Sequence, residues 1–196
     1  IYMQDEYLNI KKVLSTFGLR TEISKLSPGD EQMFLEMAIK SKEIHQPWVA
    51  PAMDVSSFQE LLNRNTKDNF ETVVVRPKDQ QDIVGIFNLS QIFYNDFQNT
   101  IMGYYANILY HGQGYMREGL LQTVVHAFFK LKLHRIEANV ICENERSIKF
   151  IRSFGFRHEG KSKNYLKING AWRDHEKFAL TREDWDDVIS KYRRSI

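Results

Sequence analysis

The sequence predicts a mixed α/β (α+β) fold built on a central, mostly antiparallel sheet. Three observations carry this. Apolar residues recur at three- and four-residue spacing in separate segments from end to end. Three β-branched and aromatic runs follow one another between residues 70 and 110. Near the C-terminus, Asn169-Gly170 joins two more such runs, a strong hairpin signal. A chain of 196 residues, 42% apolar and 27% charged, suits one domain over 1–196 with a single sizeable core.

In chain order, Tyr7, Ile10, Val13, Leu14 and Phe17 place a helix over Tyr2 to Phe17, with Gly18 as its C-terminal cap. Leu19 to Leu26 reads as a short strand. Asp30 caps an amphipathic helix carrying Met33, Phe34, Met37 and Ala38. Pro47-Trp48 interrupts, and a second helix covers about Ser56 to Leu62. Strands are expected over Phe70 to Val75, Ile83 to Phe93 and Thr100 to Tyr110, separated by the turn signals at Pro77-Lys78-Asp79 and Asn95-Asp96. Gly114 to Leu131 is the strongest helix, with Leu120, Val124 and Phe128 in one row and Leu121, Val125 and Phe129 in the next. Arg135 to Cys142 is a strand, Ser147 to Phe154 a helix, and Phe156 to Ile168 and Trp172 to Leu180 the hairpin. The acidic run from Glu183 to Asp187 is the solvated start of a last helix.

Composition narrows the function. Lys and Arg number 27 against 25 Asp and Glu, a net charge of +2 without the footprint of a nucleic-acid binder. Thirteen Phe, nine Tyr and three Trp exclude a disordered chain. Cys142 is the single cysteine, which excludes an intramolecular disulfide and points to a reducing, cytoplasmic location. As a lone strand cysteine it is expected to be a small buried apolar residue. Phe97 to Met116 carries no Asp, Glu, Lys or Arg, yet its amides and three glycines argue against a membrane span. No signal peptide is visible at the start, and no metal is expected, since the six histidines lack ligand spacing. Asp174 and His175 are adjacent on a strand, hence on opposite faces, and do not form a dyad.

Three segments could carry chemistry. His111-Gly112-Gln113-Gly114-Tyr115-Met116-Arg117 lies between a strand and the best helix, where glycines and bare helix amides suit a phosphate; a plain helix-starting turn is the alternative. Asn144-Glu-Arg-Ser147, ending in Gly155-Phe156, could be a site or a helix cap. The third is Glu159-Gly160 to Tyr165, then Asn169-Gly170-Ala171-Trp172-Arg173-Asp174-His175, otherwise a hairpin with a packed aromatic pair.

Together the three resemble the GNAT acyltransferase superfamily, and within it the RimJ/RimL type of ribosomal-protein N-terminal alanine or serine acetyltransferase. The likeness is strong from about Gly103 to Trp185 and loose before it, and the helix over 1–18 is an extra element. It implies one GNAT domain, helices on both sheet faces, and acetyl-CoA in a notch where strands Tyr104 to Tyr110 and Ile136 to Cys142 splay apart. It implies that backbone groups of Ile108, Leu109 and Tyr110 pair with the pantetheine arm. The main-chain amides of Gly112, Gln113, Gly114, Tyr115, Met116 and Arg117 would hold the pyrophosphate. Asn144 and Ser147 would face the thiol end and Phe150 the pantetheine. His111 and Met116 depart from the superfamily's loop pattern, and Ile151 stands where many members keep a tyrosine general acid.

The chemistry asks for attack by a neutral amine, an oxyanion held by a backbone N–H near Leu109, and protonation of the leaving thiolate, for which Ser147 and Tyr165 are the candidates. Trp48, Tyr104, Tyr165 and Trp172 would wall the acceptor groove, although each, Trp172 above all, also reads as ordinary core. No strong base declares itself, because Asn139 stands where a related group has glutamate. An α-amine has a pKa of about 7.7–8.0 against about 10.4 for lysine. This favours an N-terminal α-amine over lysine as acceptor, and the resemblance implies that it is the N-terminus of a ribosomal protein. Acetylation of a polyamine or antibiotic is the alternative, opposed by the lack of acid in Gln46 to Ala52 and Asn164 to Trp172, with Glu137 and Asp54 counting the other way. A non-catalytic acyl-CoA-binding module is the third reading. A monomer and a homodimer are both open.

Overall fold

The computed structural model describes residues 2–194, with side chains from residue 6. Its strands are β1 (Thr21–Lys25), β2 (Phe70–Pro77), β3 (Gly85–Phe93), β4 (Asn99–Ala106), β5 (Arg135–Ile141), β6 (Arg157–Ile168) and β7 (Ala171–Thr181). They form one sheet in the order β1-β2-β3-β4-β5-β7-β6, antiparallel throughout except at β4–β5. The helices are α1 (Tyr2–Ser15), α2 (Glu31–Lys40), α3 (Lys42–His45), α4 (Val55–Arg64), α5 (Tyr115–Val125), α6 (Glu145–Phe154) and α7 (Trp185–Arg193).

The expected single core is two, because the sheet divides it. Val73 and Val75 of β2 point to one face, where α1, α5, α6 and α7 pack Leu14, Val124, Ile151 and Val188. Val74 points to the other, under Phe34 and Met37 of α2 and Phe58 of α4. Burying each such side chain is worth about 1.5–3 kcal/mol. On this second face Asp30 binds the Ser27 amide at 2.8 Å and pairs with Arg76, so it caps the short turn leading into α2 rather than α2 itself.

Four expectations are corrected. The strand expected to reach Tyr110 ends at Ala106: the Asn107 side chain takes the Leu109 amide at 3.0 Å and its carbonyl the Tyr110 amide, winding Ile108–Tyr110 into a 3₁₀ turn. The long central helix widens into a π-helical turn over His126–Lys130. The short helix α3, ahead of Pro47, lacked the length to show periodicity. Cys142 stands just past β5, half-buried, 3.6 Å from Glu176 Oε1, and is not enclosed in apolar packing.

The feature that positions the site is the β4–β5 junction. The two strands run parallel and pair only at Asn99–Arg135, Thr100–Ile136 and Ile101–Glu137. Beyond, β4 follows β3 as far as Ala106 and β5 follows β7 as far as Ile141. The facing edges of Met102–Ala106 and Ala138–Ile141 are therefore without a strand neighbour.

Candidate active site

The parted strands open a cavity of about 800 Å³. Its walls are Met102–Ala106 of β4, Asn139–Ile141 of β5, the turn before α5, the start of α6, and Trp48 and Val49 from the segment after α3.

At one end lies the glycine turn. Gly112 and Gly114 sit at φ +77° and +83°, a left-handed backbone that costs other L-residues about 1–2 kcal/mol. Gly114 is the N-cap of α5 and has no side chain to cover the helix end. The amides of Gly112, Gly114, Tyr115 and Met116 have no partner among the described residues. They meet the positive end of the α5 dipole, an arrangement suited to a diphosphate. The amides expected of Gln113 and Arg117 are instead used internally, by Tyr110 and Gly114 carbonyls. The Gln113 and Tyr115 side chains turn away, Gln113 to the Leu109 carbonyl at 2.8 Å and Tyr115 under the Arg20 guanidinium. Arg117 lines the cavity and reaches Ser153.

Arg20 and Glu118 brace this turn, a role that the sequence reading gave to neither. Buried Glu118 accepts the Arg20 amide and Nε, both at 2.7 Å, while Arg20 Nη2 donates to the Gln113 carbonyl at 2.9 Å. A partner 98 residues away leaves no local signal.

At the other end, the Asn144 side chain accepts the Ser147 amide at 3.1 Å and caps α6. That frees the Ser147 hydroxyl, whose Oγ lies 2.5 Å from the Tyr104 hydroxyl of β4. Phe150 packs on Tyr104 at 5.4 Å between centroids, and all four residues line the cavity. Burial pushes the Tyr104 phenol far up, beyond what its bond to Ser147 takes back, so it holds its proton at any physiological pH. Ile151 is fully buried in the core and offers nothing to the cavity. Tyr104, expected as a groove wall, is the phenol nearest Ser147, reaching it from the facing strand.

Other expectations are redirected. Ile108 and Leu109 lie in the 3₁₀ turn and do not line the cavity; the Leu109 amide, expected to hold an oxyanion, is bound to Asn107. The free strand edge available to a pantetheine is Met102–Ala106, and only Tyr110 of the expected trio reaches the cavity. Trp48 lines it. Tyr165 stands one layer back, its hydroxyl accepting from Asn139 Nδ2 at 3.2 Å. Trp172 is neither core nor wall; it is 61% exposed at the hairpin end. Two residues to which the sequence reading gave no role in the site do line the cavity: Asn139, whose Oδ1 is buried without a partner, and His175, which is 2% exposed. As expected, Asp174 faces away from His175, bound to Lys161 and the Asn164 amide.

The cavity holds two carboxylates, Glu143 and Glu145, and each has a cationic partner, Arg173 at 3.1 Å and Lys149 at 3.6 Å. His111 lies among cavity residues with its pKa lowered, first by burial and then by Arg146.

Bare amides beside an open cleft with two unpaired strand edges would fit an extended, amide-bearing cofactor with a diphosphate. Residues 20–157 match the family model described as acetyltransferase (GNAT) domain. The chain belongs to the GNAT acetyltransferase family. It is an acyltransferase, and the acetyl donor of this family is acetyl-CoA. Among its relatives is a probable N-acetyltransferase of Bacillus subtilis, YjcK, 33% identical over 130 residues, covering 66% of this chain and 70% of the relative. The Escherichia coli ribosomal protein uS5-alanine N-acetyltransferase is 36% identical over 107 residues, 55% of each chain. A ribosomal-protein-S5-alanine acetyltransferase from Vibrio fischeri superposes with a TM-score of 0.73 at 28% identity, covering 85% of this chain and 95% of that one. A spermidine N-acetyltransferase from Vibrio cholerae, solved with CoA and spermine, shares the fold with a TM-score of 0.71 at 20% identity, covering 88% and 98%. Among the described residues no helix is long and apolar enough to cross a membrane.

Proposed function

We propose that this GNAT enzyme acetylates the α-amine of a polypeptide N-terminus, a ribosomal protein being the acceptor favoured. The observation that carries this is the charge state of the cavity. A polyamine needs unpaired carboxylates, whereas Glu143 and Glu145 are each matched by a cation, and the acceptor end is walled by Trp48, Val49 and Tyr104. The relatives named for ribosomal-protein alanine acetylation support the same reading. The chain covers about half the length of the E. coli relative.

Acetyl-CoA, when bound, supplies an activated thioester. The amides of Gly112, Gly114, Tyr115 and Met116 bind its diphosphate, and Arg117 adds charge. The edges of Met102–Ala106 and Ala138–Ile141 hold the pantetheine amides as a neighbouring strand would. Phe150 and Tyr104 fix the arm laterally. Ser147 Oγ, backed by the protonated Tyr104 phenol, delivers the proton to the departing sulfur.

Spermidine acetylation is the second reading, favoured by the presence of Glu143 and Glu145 at the cavity and by the Vibrio cholerae relatives. Steady-state assays with acetyl-CoA would compare peptides starting in Ala or Ser with spermidine. The proposal expects peptides to give the higher kcat/KM; preference for spermidine would overturn it.

A further inference from the structure

We propose that Asn139 and His175 receive the attacking amine, Asn139 Oδ1 accepting one of its N–H groups and His175 Nε2 taking the proton it sheds. This rests on the amine-acetylation reading above, whichever amine is used. In the β5–β7 ladder Ile141 lies opposite His175 and Asn139 opposite Lys177, so Asn139 and His175 are diagonal neighbours on one face. Both line the cavity. Nδ1 of His175 lies 3.0 Å from the Arg173 carbonyl and donates to it, which fixes the tautomer and leaves Nε2 a lone pair. Nε2 has no hydrogen-bond partner among the described residues. Tyr165 meets the imidazole edge-on at 5.4 Å and also binds Asn139 Nδ2, so one phenol braces both groups. Asn139 Oδ1 is then the buried acceptor left over, and an orphaned buried acceptor calls for a donor from outside the chain.

The groups around the imidazole are Arg173, Asp174 and Lys177 on its own strand, Glu143 after β5 and Tyr165 on β6. Burial leads in lowering its pKa and Lys177 adds to that; the bond to the Arg173 carbonyl, then Glu143 and Asp174, oppose without reversing it, so His175 is neutral at pH 7 and free to accept. Glu137, two residues before Asn139, is held by Arg135 at 3.1 Å and does not line the cavity. In the step, the amine lone pair forms the N–C bond and the C–S pair leaves on sulfur. The amine proton passes to Nε2 and then to water, while Ser147 gives its proton to the sulfur and takes one back from water, so the protons balance.

The test follows kcat/KM against pH for wild type, His175→Gln and Asn139→Ala, with an Ala-starting peptide and with spermidine. We expect His175→Gln to lower turnover about 100-fold, with CoA affinity unchanged and the extra steepening of the acid limb below pH 6.5 lost, leaving only the limb set by the amine's own titration, and Asn139→Ala to raise KM for the amine. Wild-type turnover and profile in His175→Gln would overturn the proposal. Spermidine as sole acceptor would sink the α-amine reading alone, and the profile would still decide this one. A second arm needs neither variant nor acceptor: imidazole ¹⁵N spectra of the wild-type enzyme at pH 7 should show Nδ1 protonated and Nε2 bare, and a proton on Nε2 would overturn it.

Discussion

The Tyr104 hydroxyl of β4 lies 2.5 Å from Ser147 Oγ at the start of α6, beside the gap where β4 leaves β5. Two hydroxyls on different elements thus meet inside the cleft. On the function proposed above, Ser147 Oγ would donate to the departing sulfur and the protonated Tyr104 phenol would support it.

Removing either should strike the chemistry and spare cofactor binding. Tyr104→Phe and Ser147→Ala are each expected to lower kcat by at least about 10-fold, part of the range for general acid catalysis. Calorimetric CoA affinity should stay within about two-fold. Equal losses in affinity and turnover would mean the pair only shapes the pocket.

The brace under the glycine turn makes a stability prediction. Glu118→Ala removes the Arg20 ion pair, but the Arg20 side chain is 48% exposed, so the loss should be about 1 kcal/mol, below the usual range for charged hydrogen bonds. Gly114→Ala should cost about 1–2 kcal/mol, because φ +83° is strained for alanine. Urea unfolding measures both. Each should also weaken CoA binding, and unchanged CoA affinity in both would detach the turn from the diphosphate.

His45 makes the fold acid-sensitive. It is buried beside Tyr105, its Nε2 held by the Ala106 carbonyl at 2.8 Å and its Nδ1 unpartnered. Burial lowers its pKa below 6.5 despite that bond. The unfolded chain therefore binds a proton first, and stability is full above pH 6.5 and falls as pH drops toward the folded pKa. Urea midpoints taken from pH 7.5 to 5 should decline in wild type and decline less in His45→Gln. Parallel curves would refute the assignment.

Trp48 and Trp172 should separate in acceptor kinetics. Trp48 lines the cavity, while Trp172 is exposed and outside it. We expect Trp48→Ala to raise KM for peptide about 10-fold, near what one lost aromatic contact of 0.5–1.5 kcal/mol gives. Trp172→Ala should leave KM unchanged. The reverse pattern would relocate the acceptor path.

Periodicity and turn chemistry made most of the fold legible. The rows Leu120/Val124/Phe128 and the Asn169-Gly170 turn are local signals, and the elements they predict are present. Local reading failed where one side chain redirects the backbone, as Asn107 does when it ends β4 four residues early. In the site, Gly112, Gly114 and Ser147 were visible because their chemistry depends on near neighbours in sequence. The roles of Glu118, Asn139 and His175 were not, because their meaning comes from partners or cavity walls far along the chain: Arg20, Tyr165 and the parted edge of β4. Tyr165 and Trp172 were assigned to the groove as aromatic walls, yet Tyr165, in the irregular stretch of β6 between Ser162 and Leu166, lies behind Asn139, and Trp172 stands in solvent.

A crystal structure of the CoA complex tests the central claim most directly. The account predicts the diphosphate on the amides of Gly112, Gly114, Tyr115 and Met116, with the pantetheine between Met102–Ala106 and Ala138–Ile141. A diphosphate bound elsewhere, or β4 and β5 paired along their full lengths with CoA outside them, would contradict it.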